Sequence, residues 1–285
     1  MNINWYPGHM KKTTDGIKEH LNQVDIVCEL LDSRIPISSR NPQLNDIIGD
    51  KEKIIILNKE DMSDPLESRK WIEYFEKNNQ VAITYNSLLD KGAKKIYSYS
   101  KNILKNKFEK NLDKGISSKE IKMMVVGIPN VGKSAFINNL SGKKKTNVGN
   151  KPGVTRQKQW IRTNTDLVLL DTPGVLWPKI ESKESALNLA YTGAIKDENL
   201  DIENVSYKFI EKINEIDPNI FIDRYNIEET FSTIECMDRI ARKTGSIMRG
   251  NEIDYNKVSR KILDDFRKVR LGRITLERVE DEKRS

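Results

Sequence analysis

Gly127-Ile128-Pro129-Asn130-Val131-Gly132-Lys133-Ser134 spells GxxxxGKS, the signature of a loop that wraps nucleoside phosphates. The apolar run Ile121-Lys122-Met123-Met124-Val125-Val126 feeds it as a buried strand, and a helix starting near Lys133 leaves it. Glycines let backbone N–H groups turn inward around phosphate oxygens, and the helix N-terminus adds a positive dipole. Asn130, Val131, Gly132, Lys133, Ser134 and Ala135 are therefore the expected nucleotide contacts. Lys133 would reach the β- and γ-phosphates and Ser134 would place its hydroxyl on Mg²⁺.

Downstream, the apolar run Leu167-Val168-Leu169-Leu170 ends in Asp171-Thr172-Pro173-Gly174, a DxxG element. There the Asp171 carboxylate would meet Mg²⁺ through water and the Gly174 N–H would face the γ-phosphate. Between the two elements, Thr155 in Pro152-Gly153-Val154-Thr155-Arg156 stands where a mobile switch threonine completes Mg²⁺ coordination. Upstream, Asn58-Lys59-Glu60-Asp61 follows Ile54-Ile55-Ile56-Leu57 and matches NKxD. An aspartate in this place accepts two hydrogen bonds from guanine N1–H and N2–H₂, a donor pair adenine lacks, so Asn58, Lys59 and Asp61 specify GTP over ATP. Asn86-Ser87, after Val81-Ala82-Ile83-Thr84-Tyr85, offers a further contact to the base. The order of these parts is the unusual feature. The guanine reader precedes the phosphate loop instead of following it, so the elements are circularly permuted.

Periodicity predicts strands over residues 24–31, 54–57, 81–85, 121–126, 158–163 and 166–170. Helices are expected around 66–78, 92–108 and 133–140. Only Asn164-Thr165 separates the last two strands, which makes them an antiparallel hairpin; the others fit right-handed crossovers in a parallel sheet. The fold class is α/β, a permuted phosphate-loop GTPase domain with a mostly parallel six-stranded sheet over residues 1–178. After it, residues 179–285 show helical stripes: Tyr207, Ile210 and Ile213 with Phe209 and Ile216, then Val258, Ile262, Phe266 and Val269. A small, all-helical C-terminal domain follows from them.

Composition narrows the classes further. The 285 residues carry a formal charge of +7. Residues 239–273 hold eleven Lys and Arg against four Asp and Glu, and residues 91–114 hold eight lysines. Clustered positive charge is the footprint of a nucleic-acid binder, or else a solvated helical surface. Aromatics are sparse in the first cluster, which favours backbone contacts to folded RNA over base stacking. Arg260, Lys261, Arg267 and Lys268 are the expected contacts. Two cysteines, Cys28 and Cys236, make neither a disulfide framework nor a metal cluster. The sequence has no membrane-length apolar run and no signal-peptide pattern, so a cytoplasmic protein without membrane attachment is expected.

The permuted order, together with Trp5-Tyr6-Pro7-Gly8-His9-Met10, Asp32-Ser33-Arg34-Ile35-Pro36, NKED, GIPNVGKS, PGVTR, DTPGVLWP and Leu271-Gly272-Arg273-Ile274-Thr275-Leu276-Glu277, resembles the ribosome biogenesis GTPase A family over nearly the whole chain. The resemblance implies a bacterial GTPase that assists late maturation of the large ribosomal subunit, with its helical domain on ribosomal RNA. A monomer binding GTP and GDP is the expected form. Val175, Leu176 and Trp177 follow DTPG, and none can orient the attacking water as a glutamine would. The resemblance points instead to His9, whose neutral imidazole could hold that water; the alternative is that His9 anchors RNA. Asn130 matches the asparagine that in related GTPases helps hold K⁺ beside the phosphates. Two other readings stand beside this one: a metabolic or signalling GTPase without a ribosomal role, and a passive RNA-binding factor. Intact Lys133, Ser134 and Asp171 argue against the second.

Overall fold

The six expected segments become six strands: β1 (Ile26–Asp32), β2 (Lys53–Asn58), β3 (Val81–Tyr85), β4 (Ile121–Gly127), β5 (Gln159–Arg162) and β6 (Leu167–Asp171). They form one sheet of order β3-β2-β1-β4-β6-β5 in a computed structural model that describes residues 16–90, 92–113, 115, 119–142, 159–172, 180, 182–229 and 232–282. All neighbours pair in parallel except β5, which is antiparallel to β6 as the short connection requires. Parallel strands are covered on both faces and so read as unbroken apolar runs; β1 is buried at every residue. Successive side chains alternate between the faces. Ile26, Cys28 and Leu30 join Ile54, Ile56, Met123 and Val125 in one cluster, while Val27, Met124, Val126 and Leu170 pack with Ile17, Leu44 and Ile48 on the other. Burial pushes the Cys28 thiol up, away from thiolate chemistry.

The helix expected over 92–108 is two helices, Lys94–Ile103 and Lys105–Asp113, which meet at Leu104. Leu104 is buried in the core at the junction, and neither Gly nor Pro marks the break in sequence. The helix Pro65–Lys77 begins where the sequence says it should: Asp64 caps Leu66 and Glu67 N–H, with proline at its first position.

Beyond the sheet lie helices Lys183–Tyr191, Ile202–Ile216, Asn219–Tyr225, Thr233–Thr244 and Tyr255–Arg267. Ser182, Asp201, Ser232 and Asp254 cap four of them through side-chain oxygens. Phe209 is their hub, with ring centroids of Tyr191 at 5.0 Å and Phe266 at 4.9 Å. Val269, expected on the last helical stripe, lies past the helix end with φ 61°. The apolar cluster of these helices is continuous with that of the sheet. The expected domain boundary at residue 178 falls outside the described residues, and residues 271–282 return from the helical region to the sheet. There Ile274 N–H donates to Met62 O (3.2 Å), and Val279 packs with Trp71 and Phe75.

Asp265 organises the polar side of the bundle. Its buried carboxylate accepts Lys261 Nζ at 2.8 Å, Arg270 Nη1 at 2.9 Å, Arg224 Nη2 at 3.0 Å and the Tyr225 hydroxyl at 3.1 Å. Burial alone would raise this carboxyl, but the bonds from Lys261, Arg270 and Arg224 pull it down to about 2. Asp265→Asn should therefore destabilise the protein by about 1–3 kcal/mol near neutral pH. A carboxyl depressed on folding stabilises above its unfolded value near 4 and loses that contribution as pH falls toward 2. In urea titrations the gap between the two proteins should be full above about pH 5 and shrink with acid; a pH-independent gap would contradict the charge account.

Candidate nucleotide-binding site

In open α/β sheets ligands bind outside the carboxyl ends of the strands, where the strand order reverses. Here winding reverses between β1 and β4. Asp32, Asn58, Gly127 and Asp171 end β1, β2, β4 and β6 at this edge. The phosphate loop leaves β4 and curls through two positive-φ residues, Asn130 (59°) and Gly132 (96°), into the helix Lys133–Ser141. A Cβ on Gly132 would stand 2.4 Å from Asn58 Nδ2, and one on Gly127 2.8 Å from Leu30 O. Both positions therefore admit only glycine.

Asn58 joins the separated motifs. Its Nδ2 donates to Val131 O at 2.8 Å in the phosphate loop, and its Oδ1 accepts the Ser87 hydroxyl at 2.6 Å. Lys59 sits in the left-handed region and extends Nζ to Asn130 O (2.6 Å) and Asp32 Oδ2 (2.9 Å). Asp32 also takes a bidentate grip from Arg34, at 2.9 and 2.7 Å. Burial would raise the Asp32 carboxyl; Arg34 and Lys59 hold it well below the usual carboxylate range. Asp61 is half-buried and makes no hydrogen bond or ion pair among the described residues.

The segment after β3 is shaped from within. Asn86 Oδ1 accepts Leu88 and Leu89 N–H at 2.9 and 3.1 Å, an Asx turn. Asn139 holds the loop from the phosphate-loop helix: its Nδ2 donates to Ser87 O (3.1 Å) and Asp90 O (2.5 Å), and its Oδ1 accepts the Tyr85 hydroxyl at 2.6 Å. Sequence reasoning missed Asn139, whose one signal is a polar pair, Asn138-Asn139, inside an apolar helix.

Lys133 and Asp171 meet in the floor of the site, Nζ to Oδ1 at 2.6 Å, with side chains 6% and 0% exposed. Burial lowers the Lys133 ammonium and Asp171 opposes that shift. The second oxygen, Asp171 Oδ2, is buried with no hydrogen-bond partner among the described residues. Such an oxygen fits a hydrated divalent cation. Asn130 Nδ2 donates to Gly193 O at 2.6 Å, tying the phosphate loop to the turn after Lys183–Tyr191. His9, Thr155 and Gly174 lie outside the described residues.

The four cations expected to meet RNA separate in the structure. Arg267 commits its guanidinium internally, to Tyr191 O (2.9 Å), Ala190 O (2.7 Å) and both Asp197 oxygens (2.9 and 2.8 Å). Lys261 neutralises the buried Asp265. Both side chains are thus engaged within the protein. Arg260 is exposed, and the Lys268 side chain is 55% exposed beside Asp264. Arg242, Lys243 and Arg249, not singled out from sequence, are exposed and have no partner among the described residues.

The sheet, the glycine-bound phosphate loop and the Asn58 bridge define a phosphate-loop GTPase in circularly permuted order. A family model described as 50S ribosome-binding GTPase matches residues 122–233, starting in the strand that feeds the phosphate loop and leaving out Asn58–Asp61. The chain is 42% identical over 282 residues to ribosome biogenesis GTPase A of Bacillus cereus, spanning 99% of this chain and 95% of that one. Its structure resembles GDP-bound TM YlqF (27% identity, TM-score 0.68, 93% and 100% of the two chains) and GNP-bound YlqF from T. maritima (26%, 0.66, 94% and 98%). The chain belongs to the ribosome biogenesis GTPase A family. No helix among the described residues is long and apolar enough to cross a membrane.

Proposed function

We propose that this GTPase acts in late maturation of the bacterial large ribosomal subunit, holding ribosomal RNA through its C-terminal helices and hydrolysing GTP faster on the particle. One observation supports the assembled site above all: Asn58 bonds the phosphate loop and Ser87 at once. Guanine and phosphate elements thus share one site despite their inverted chain order. Residues 1–178 form the GTPase unit and residues 179–285 the RNA-binding unit, in a cytoplasmic monomer.

Roles follow from chemistry. Asp61 reads guanine N1–H and N2–H₂, Lys59 lies along the base, and Asn86-Ser87 contribute backbone to it. N–H groups of residues 130–135 surround the phosphates and Lys133 supplies charge to the β- and γ-oxygens. Ser134, Thr155 and Asp171 would hold Mg²⁺, which when bound offsets charge developing between those oxygens. Asn130 would help hold K⁺ beside the phosphates. Gly174 N–H would face the γ-phosphate, and His9 would position the attacking water.

The RNA contacts are best assigned to the outward cations Arg242, Lys243, Arg249, Arg260 and Lys268. Particle binding should weaken as salt rises, because each neutralised phosphate releases counterions. Charge reversal at Arg242, Lys243, Arg249 and Arg260 should weaken co-sedimentation at least about tenfold, flatten the salt slope by roughly 0.7–0.9 for every phosphate no longer neutralised, and leave GTP affinity intact. Unchanged binding at every salt concentration would make the basic face a solvated surface. The competing metabolic or signalling reading predicts full turnover without any particle.

A further inference from the structure

The late motif Leu271-Gly272-Arg273-Ile274-Thr275-Leu276-Glu277 has no part in the chemistry above. It follows the last long helix and runs along the guanine turn. Arg273 Nε donates to Ser63 O at 2.8 Å and its Nη2 to Glu60 O at 2.6 Å. Ile274 N–H donates to Met62 O, and Asp64 N–H donates to Thr275 Oγ1 at 3.0 Å. Residues 60, 62, 63 and 64 are all bonded to this segment. Asp61, between them, keeps its carboxylate unengaged among the described residues.

The turn needs such support. Glu60–Met62 is a single 3₁₀ turn, intrinsically weak. It enters from Lys59 in the left-handed region, and its local closure is Met62 N–H to Lys59 O (2.8 Å) with a longer Ser63 N–H to Glu60 O (3.4 Å). The tail is itself firmly seated. Leu271, Ile274 and Leu276 lie in the core shared with the bundle, and Leu276 N–H donates to Arg34 O at 2.8 Å. The Glu277 carboxylate accepts Ile37 N–H (2.7 Å), Ser38 N–H (2.9 Å), Asn188 Nδ2 (3.1 Å) and the Ser38 hydroxyl. A planar guanidinium spans two carbonyls at fixed separation; a lysine ammonium on a flexible stem does not.

We propose that Arg273 is a positioning residue for guanine recognition: it clamps the Glu60–Met62 turn so that the Asp61 carboxylate meets both guanine donors together. The C-terminal region thereby contributes to base selectivity without touching the nucleotide. This rests on the reading of Asp61 as the guanine acceptor.

The test compares GDP with inosine diphosphate, which lacks the 2-amino group and offers Asp61 one donor instead of two. The ratio of their dissociation constants does not depend on the fraction of protein that is folded. Arg273→Ala should weaken GDP binding by about tenfold and narrow the GDP-over-inosine-diphosphate ratio. Arg273→Lys, able to reach one carbonyl, should fall between. Asp61→Asn, measured alongside, should abolish the preference. A wild-type ratio in both Arg273 variants, with the ratio lost in Asp61→Asn, overturns the clamp and leaves Asp61 as the guanine reader. A wild-type ratio in Asp61→Asn overturns the Asp61 reading and the clamp with it. A stability loss in Arg273→Ala without a change in ratio also overturns it, because a purely structural role gives that pattern.

Discussion

Lys133→Ala is expected to lower single-turnover GTP hydrolysis by about 10²–10³-fold, the usual loss when one preorganised charge donor is removed from a transition state. The site gives a specific reason. Lys133 is held 2.6 Å from Asp171 in a floor that excludes solvent, where a charge is far less screened than at a surface. Its truncation also leaves Asp171 as a buried carboxylate without a counter-charge, which costs about 3–5 kcal/mol in comparable settings. A thermal melt must therefore accompany the rate. Lys133→Arg keeps the charge and relieves most of the folding cost, yet its planar head does not fit the space of an ammonium. It should fold near-normally and hydrolyse slowly. Wild-type rates in both folded variants would place the active site elsewhere.

His9→Ala is expected to remove about 10²–10⁴-fold of the particle-stimulated rate while preserving GTP affinity and particle binding. Val175, Leu176 and Trp177 occupy the stretch where a water-orienting side chain would stand, so basal turnover should be slow. Particle RNA would place the His9 imidazole at the γ-phosphate. The rival role, His9 as an RNA anchor, predicts weaker particle binding with a normal rate once the particle is saturating. Single-turnover hydrolysis across a particle titration separates the two. A normal rate at saturation removes His9 from catalysis.

The sheet was legible because parallel strands buried on both faces leave unbroken apolar runs, as in Ile54-Ile55-Ile56-Leu57. The phosphate loop was legible because glycine has no substitute at Gly132, where a side chain would strike Asn58. What the sequence concealed depends on contacts distant in the chain. Asn139 reads as one more polar residue on a helix until Ser87 and Asp90 carbonyls are seen beside it. Arg267 and Arg242 look alike in a basic segment. One is tied to Asp197 and two backbone carbonyls, and the other is exposed without a partner among the described residues. Charge counting cannot distinguish a cation that serves the fold from one that serves a partner. The late motif was visible as a pattern, but its bond to the guanine turn joins residues far apart in the chain, as in Arg273 to Ser63 (separation 210).

GTP hydrolysis measured with and without purified large ribosomal subunits, at low and at physiological salt, tests the central claim most directly. The account predicts a slow basal rate and a marked, saturable acceleration by the particle that weakens as salt rises. A fast rate indifferent to the particle, with no co-sedimentation at low salt, would contradict it.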